Sequence, residues 1–435
     1  MKTPSSSLLR ATVTLLTGGA LAQLLPLLLG PFIARIFSPE AMGLFTQFTT
    51  VAAAIAVAAC LRYDWALPMA RQDDEASALL ALALRIGLAV VLLCIPMAWG
   101  LHGAGLLPLP TLLPLAVGFS AALQLLMMWA TRAQRFQAVA AGRVVQWGGA
   151  AVAQLALGYL LWRGAGGRPL GADTAWALVV ATLLAQLIAS LWLLRPSPLG
   201  GWRSVLKPAS ASMKSAMRAT AIKHKDFALI NTPHAFLGTL QDAVAVALLV
   251  AWTGEAAAGF WGLALRYLKA PSTLVGAAVS QALYPRLIGA EPDAARAMVR
   301  QLMALLGVLG LALMGLLLIA GPWIFELIFG PTWREAGELA RALSPYIAAH
   351  FVAAPLAVVT MAWQAQRWAF RWALVGQVAF VLAMALGLRA GGLQGGAWAV
   401  SGVMLPYFGW YFYRLARWPH VPTPREASEQ KGDHS

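Results

Sequence analysis

The chain has 435 residues, of which 60% are apolar and 11% charged, with a formal charge of +15 and a mean hydropathy of +0.70. Soluble domains carry about 25% charged residues, so this composition excludes a cytosolic enzyme or a disulfide scaffold and points to an all-α polytopic membrane protein. The basic residues lie between apolar stretches rather than in one patch, so the charge reports membrane topology and no nucleic-acid partner is expected. Cys60 and Cys94 both fall in apolar runs and are expected to be buried thiols without a disulfide.

A hydrocarbon core about 30 Å thick takes about 20 helical residues, and the uncharged stretches can be measured against that length. Residues 11–34 and 41–61 give spans one and two. Residues 86–131 are too long for one crossing and are broken between Gly100 and Pro114, which gives spans three and four. Residues 144–162 and 174–194 complete the first half. In the second half, 232–252 is interrupted by Asp242, and 260–285 by Arg266 and Lys269; 301–325, 342–366, 372–388 and 390–413 follow. The expectation is twelve transmembrane helices.

An even count puts both termini on one side, where the tails and loops carry 23 Lys and Arg against 6 on the other. The positive-inside rule therefore predicts cytoplasmic termini. Ala20-Leu21-Ala22 imitates a signal-peptidase site, but the apolar run continues to Ile33 and is read as a retained first span. The predicted organisation is an N-terminal six-helix lobe over 1–194 and a basic cytoplasmic linker over 195–230. A pseudo-symmetric C-terminal six-helix lobe follows over 231–417, then a disordered cytoplasmic tail over 418–435. Such repeated halves place a substrate site where they meet near the midplane. An internal echo supports the repeat: Glu40-Ala41-Met42-Gly43-Leu44-Phe45 follows span one, and Glu255-Ala256-Ala257-Ala258-Gly259-Phe260-Trp261 follows span seven. In the linker, Ser204 to Arg218 can form an amphipathic interfacial helix against anionic lipid, or a docking segment for a cytoplasmic partner.

An ionisable side chain inside a span costs at least about 2.5 to 3.5 kcal/mol near the centre, so it faces a cavity, a partner or an interface. If span eight begins near Phe260, Arg266 lies about 9 Å deep and Lys269 about 13 Å deep, on one helix face at i and i+3. They either line a positive cavity beside Pro271 or pair with Asp242 on span seven. Arg62 and Asp64 lie toward the end of span two; a snorkelling Arg62 with Asp64 as its local partner is one reading, a cavity position the other. Pro26 and Pro271 are candidate kink or gating positions. Arg35 and Arg286 are read as interface anchors. Most tryptophans belong to the aromatic belt, while Trp363, Trp372 and Trp410 are candidates for stacking on sugar. No phosphate-binding glycine loop with Lys is present, no His spacing suits a metal, and His234 and His350 are read as structural, hydrogen-bonded residues.

Three stretches resemble the polysaccharide exporter branch, the group of O-antigen flippases, in the multidrug/oligosaccharidyl-lipid/polysaccharide (MOP) exporter superfamily. The first runs from Ala22-Gln23-Leu24-Leu25-Pro26 through Pro31-Phe32-Ile33-Ala34-Arg35-Ile36-Phe37-Ser38-Pro39-Glu40 to Leu61-Arg62-Tyr63-Asp64 and Asp73-Asp74-Glu75. The second is Lys225-Asp226-Phe227 to Pro233, preceded by His224 where the family carries an aromatic. The third comprises Gly259-Phe260-Trp261-Gly262, Pro271, Ser280-Gln281-Ala282-Leu283-Tyr284-Pro285 and Phe329-Gly330-Pro331-Thr332-Trp333-Arg334. The resemblance implies a non-enzymatic flippase of the bacterial inner membrane. It would move an undecaprenyl-pyrophosphate-linked oligosaccharide, an O-antigen or exopolysaccharide repeat unit, by alternating access. Arg266, Lys269 and Arg62 would face the pyrophosphate. Asp64 or Asp242 would couple transport to H+ or Na+, without any cofactor, and other polysaccharide-assembly membrane proteins are candidate partners. A cation-coupled drug exporter of the same superfamily is the first alternative, although cations outnumber acids three to two within the spans. A glycan polymerase or ligase is the second, although all the predicted periplasmic loops are short.

Overall fold

The computed structural model describes residues 4–194, 211–419 and 421–422, and among them there is no strand, only an isolated parallel bridge between Phe37 and Leu170. The helices are α1 (Pro4–Ile36), α2 (Pro39–Ala58), α3 (Asp73–Gly103), α4 (Leu113–Arg132), α5 (Phe136–Gly164) and α6 (Ala175–Leu194). They continue as α7 (Ala211–Lys223), α8 (Thr232–Thr253), α9 (Glu255–Ile288), α10 (Pro292–Phe329), α11 (Arg334–Ala362) and α12 (Gln366–Ala416). Ten of the described helices, all but α7 and α9, are long and apolar enough to cross a membrane.

Two further crossings bring the total to twelve, as the sequence predicts. At 34 residues α9 is long enough, and Arg266 and Lys269, with Gln281 and Arg286 further on, lower its hydropathy. The 51 residues of α12 would extend about 76 Å if straight, more than twice the hydrocarbon thickness. The helix instead reverses at Gly391 and Gly392, where Gly392 adopts φ 61° and ψ −149°, a region essentially closed to side chains with a Cβ. The two arms then run back along each other, with Gly387 against the Gly395 carbonyl and Trp372 stacked on Tyr407 at 5.1 Å.

Helix ends are closed by local devices, because carbonyls left open in lipid are costly. Ser38 caps α2 by accepting from the Ala41 N–H at 3.4 Å, with Pro39 and Glu40 in the first turn. At the end of α3 the Gly105 and Leu106 N–H groups donate to the carbonyls of His102 and Leu101, each at 2.9 Å, the Schellman pattern. The same closure ends α4 at Gln134 (φ 53°) and α11 at Gln364 (φ 55°). A short 3-10 turn precedes each of these helices, Pro110–Leu112 before α4 and Pro331–Trp333 before α11, each introduced by a residue of positive φ. α4 and α11 are the fourth and tenth crossings, so a Pro-Thr entry turn and a left-handed Gln exit recur six crossings apart.

The chain divides into two compact units, Met1–Ala247 and Leu248–Ser435, with the division inside α8. In the first unit α4 and α6 are central, packed against α2, α3 and α5, and α1 lies on α5. Its core includes Phe48, Leu67, Leu79, Leu80, Leu113 and Val117, together with Cys60 and Cys94, which are buried free thiols. α7 packs on α3, with Met213 and Met217 against that core. Residues 195–210, the beginning of the basic linker and of its expected helix from Ser204, lie outside the described residues, as do 420 and 423–435 of the tail. In the second unit α11 is the central helix, flanked by α9, α10 and α12.

Without a hydrophobic drive between helices in lipid, packing relies on small residues that let backbones approach. A Cβ on Gly337 of α11 would sit 2.5 Å from Pro322 Cα and 2.7 Å from the Gly321 carbonyl oxygen of α10. Gly337→Val is therefore expected to destabilise the second unit by about 1–3 kcal/mol, read as a lower melting temperature in detergent than wild type; an unchanged melt would contradict this packing.

Candidate functional site

The first cluster of candidate residues sits at an elbow. Sequence reading places Arg62 and Asp64 in the last turns of span two, but α2 stops at Ala58 and a 3-10 turn runs from Tyr63 to Met69. Between them Leu61 and Arg62 both adopt left-handed backbone angles, φ 47° and 58°. Two successive left-handed residues with side chains cost roughly 1–2 kcal/mol each, so the surrounding packing holds the bend. Arg62 lies 4.4 Å over the Trp65 ring, and its Nε is buried with no hydrogen-bond partner. Asp64 is 3% exposed and accepts hydrogen bonds from the Trp65 N–H and the Gln124 side chain of α4. The Arg62 charge acts on Asp64, but no ion pair forms between the two among the described residues.

The elbow is held from outside by α7. The Tyr63 hydroxyl donates to the Ala221 carbonyl at 3.3 Å. Glu75, in the first turn of α3, takes the Lys223 ammonium at 2.6 Å and His224 Nε2 at 2.9 Å. Arg132 closes the other side, donating to Asp73 at 2.8 Å and to the Ala70 carbonyl at 3.3 Å. Sequence reasoning reads the linker as a lipid-facing or partner-docking segment and misses this clamp. The available signal is the acidic run Asp73-Asp74-Glu75 set against a basic loop.

The second cluster lies inside the second unit, between α9 and α11. Gly276 of α9 faces Ala354 and Pro355 of α11, and the Ser280 hydroxyl donates to the Pro355 carbonyl at 3.2 Å. One turn and more back along α9 are Lys269 and, at i+3, Ser272, which is fully buried with an unpartnered Oγ. The Lys269 charge is felt at His350 of α11, whose Nδ1 is also buried and unpartnered. Tyr346 and Phe408 pack against the His350 ring at 5.8 and 6.4 Å. Buried polar atoms without partners are few in native proteins, so two of them on packed helices near an ammonium mark a place where hydrogen-bonding capacity is left open, a hollow in the polar pairing of the core. Arg266, half-buried on the same helix, makes no hydrogen bond or ion pair among the described residues. His350, read from sequence as a hydrogen-bonded structural residue, belongs to this hollow; only its i+4 spacing from Tyr346 hints at it.

The other candidates are spread out. Asp242 is exposed on α8. α1 and α9 continue as helices through Pro26 and Pro271, and Pro271 withdraws one bond from the ladder close to Lys269. Trp363 is buried in the core, Trp372 is stacked on Tyr407, and Trp410 is exposed beside Tyr413. Among the described residues no group of three metal-ligating side chains forms.

Asp64 lies beyond the end of α2, and burial pushes its carboxyl above the ordinary range, opposed by Arg62 and by the donors that it accepts from. The folded state then binds more protons than the unfolded one, so stability falls as pH rises from the ordinary carboxylate value through the raised one. Asp64→Asn cannot ionise and is expected to flatten this slope. Melting in detergent between about pH 4 and about pH 7 tests it, and equal slopes for the two proteins would contradict it.

With this geometry in place, the chain can be set against known proteins. The family described as polysaccharide biosynthesis protein matches residues 32–338. No curated protein matches. Among solved structures the chain is similar to the lipid II flippase MurJ in an inward closed conformation, with 10% identity, 93% of this chain and 90% of that chain covered, and a TM-score of 0.69. It is also similar to an inward-facing multidrug resistance MATE family transporter of the MOP superfamily, at 14% identity, 93% and 96% coverage and a TM-score of 0.63. A Vibrio cholerae MATE transporter, VcmN, gives 15% identity, 95% and 96% coverage and a TM-score of 0.53. At such identities the likeness is one of fold. The matched family spans most of the chain and the fold likeness covers 93% of it, so this multi-pass membrane protein belongs to the polysaccharide biosynthesis protein family and shares its fold with MurJ and MATE transporters.

Proposed function

We propose that the protein is a flippase that carries an undecaprenyl-pyrophosphate-linked oligosaccharide, such as an O-antigen or exopolysaccharide repeat unit, across a bacterial inner membrane by alternating access. The sugar and pyrophosphate cannot cross about 30 Å of hydrocarbon unaided, whereas a polyprenyl tail can stay in lipid. The observation that carries this reading is Arg266, a half-buried guanidinium without an ion pair among the described residues. Three residues beyond it Lys269 stands beside the unpartnered Ser272 and His350. A guanidinium without an ion pair on an apolar helix, one turn from a second cation, suits a multivalent anion, and Arg offers a pyrophosphate its bidentate fork. Arg62 is the matching cation of the first unit. The family's assignment to polysaccharide biosynthesis and the fold likeness to a lipid II flippase support a lipid-linked glycan as cargo.

In this reading both termini lie in the cytoplasm, as the 23 to 6 distribution of Lys and Arg favours. Asp64, buried beside Arg62, and Asp242 are the proposed groups for coupling to H+ or Na+. The fold likeness to MATE transporters keeps a drug exporter as the second reading, and the two differ in the sign of the cargo.

Proteoliposomes loaded with a fluorescent undecaprenyl-pyrophosphate oligosaccharide test the proposal. Wild type is expected to flip it, and Arg266→Ala and Lys269→Ala are each expected to slow flipping by about tenfold or more, the loss of one charge-assisted hydrogen bond. A wild-type protein that moves no lipid-linked sugar but exchanges an organic cation for protons would replace the flippase reading with the exporter.

A further inference from the structure

At the basic end of the second unit, the chain leaving α12 folds back over the first turns of α10. Arg296 of α10 holds it there, donating from Nε to the Trp418 carbonyl at 3.2 Å and from Nη2 to the Pro419 carbonyl at 3.3 Å. Its Nη1 is taken by Asp293 at 2.8 Å, a carboxylate that is otherwise fully exposed. The fold-back forms an open cleft of about 500 Å³ lined by Arg296, Arg300, Ala416, Arg417, Trp418 and Pro419. That volume is in the range of small-molecule sites.

The lining is cationic and its donors are not used up. Arg300, one turn beyond Arg296, is exposed and makes no hydrogen bond or ion pair among the described residues. Arg417 is exposed, lies 4.7 Å over the Tyr413 ring and gives one N–H to the Tyr413 hydroxyl at 2.8 Å, which leaves the rest of its fork available. The aromatic wall is stiff: Trp418 packs on Trp368 at 5.2 Å, and Trp368 stacks on Tyr411 at 5.6 Å with the rings 7° from parallel. Forked guanidiniums fixed beside a wall are suited to the oxygens of a phosphate.

The depth of the cleft indicates where that phosphate comes from. α10 has 38 residues and would extend about 57 Å, so its first turns project beyond a hydrocarbon core of about 30 Å into the headgroup layer. Trp410 and Tyr413, both exposed on the last turns of α12, are the side chains that favour that boundary. We propose that this cleft is a binding site for the phosphodiester of an anionic membrane phospholipid, with Arg300 and Arg417 as its ligands and Arg296 as the residue that holds the frame. The site is separate from the α9–α11 hollow and does not depend on the identity of any transported cargo.

The test uses the full-length protein in neutral detergent, with native mass spectrometry of retained lipid after incubation with phosphatidylglycerol or phosphatidylcholine. Wild type is expected to retain phosphatidylglycerol in preference. Arg300→Gln should lower its occupancy about fivefold, and Arg300→Gln with Arg417→Gln by about that factor again, while phosphatidylcholine retention stays unchanged. Arg163→Gln with Arg168→Gln, two exposed cations of the first unit, is expected to behave as wild type. Both lining arginines are exposed, and if the double variant melts early Arg300→Gln alone carries the comparison. Equal phosphatidylglycerol retention by wild type and the lining variants would overturn the proposal. So would an equal loss in the first-unit control, which would mean diffuse charge attraction, or displacement of the lipid by inorganic phosphate, which would mean a site for a soluble anion.

Discussion

A peptide group that leaves water and finds no partner costs several kcal/mol in hydrocarbon, and that cost governs where this chain can stop being helical. Its interruptions are accordingly built. Ser38 caps α2, paired N–H groups close the ends of α3, α4 and α11, and Gly391 and Gly392 reverse α12 within two residues. The elbow after α2 is the place where the rule is under most stress, because Leu61 and Arg62 turn left-handed without the freedom of glycine. The bend is fixed by Asp64 bonded to Gln124 and by Tyr63 bonded to α7, so a strained backbone and a buried carboxyl occupy the same few residues.

The same cost explains why the α9–α11 hollow stands out. Elsewhere in the second unit, buried hydroxyls find a carbonyl: Ser401 gives its proton to Ala342 of the neighbouring helix and Ser344 to Arg341 of its own. Ser272 and His350 do neither, and they sit where Lys269 brings a charge and Pro271 removes a backbone donor. An unbalanced polar cluster inside a helical lobe is tolerable only if something else completes it, and the geometry leaves that place to water, an ion or a passing anion.

Much of the architecture is legible in the sequence because lipid makes length and hydropathy decisive. The apolar stretches, most of them charge-free, fall on the crossings: the break at Arg389 lies two residues before the reversal of α12 at Gly391, and α9 is read as a crossing despite Arg266 and Lys269. What periodicity could not show was conformation between the helices. Residues 59–64 read as the last turns of a helix because Cys60 and Leu61 are apolar, yet the left-handed pair depends on contacts with Gln124 and Ala221, far away in the chain. The clamp of Glu75 on Lys223 and His224 is hidden for the same reason, and His350 looked unremarkable because its missing partner is a property of three dimensions.

The paired exits at Gln134 and Gln364 bear on what can change in the chain. The residues that follow them differ, Arg135 and Phe136 after one and Ala365 and Gln366 after the other. Yet both place a glutamine in a conformation that glycine would adopt more cheaply, after a helix entered through a Pro-Thr turn. At these two corners the side chains around the turn are free to vary while the sign of φ is not, since changing that sign would redirect the next crossing.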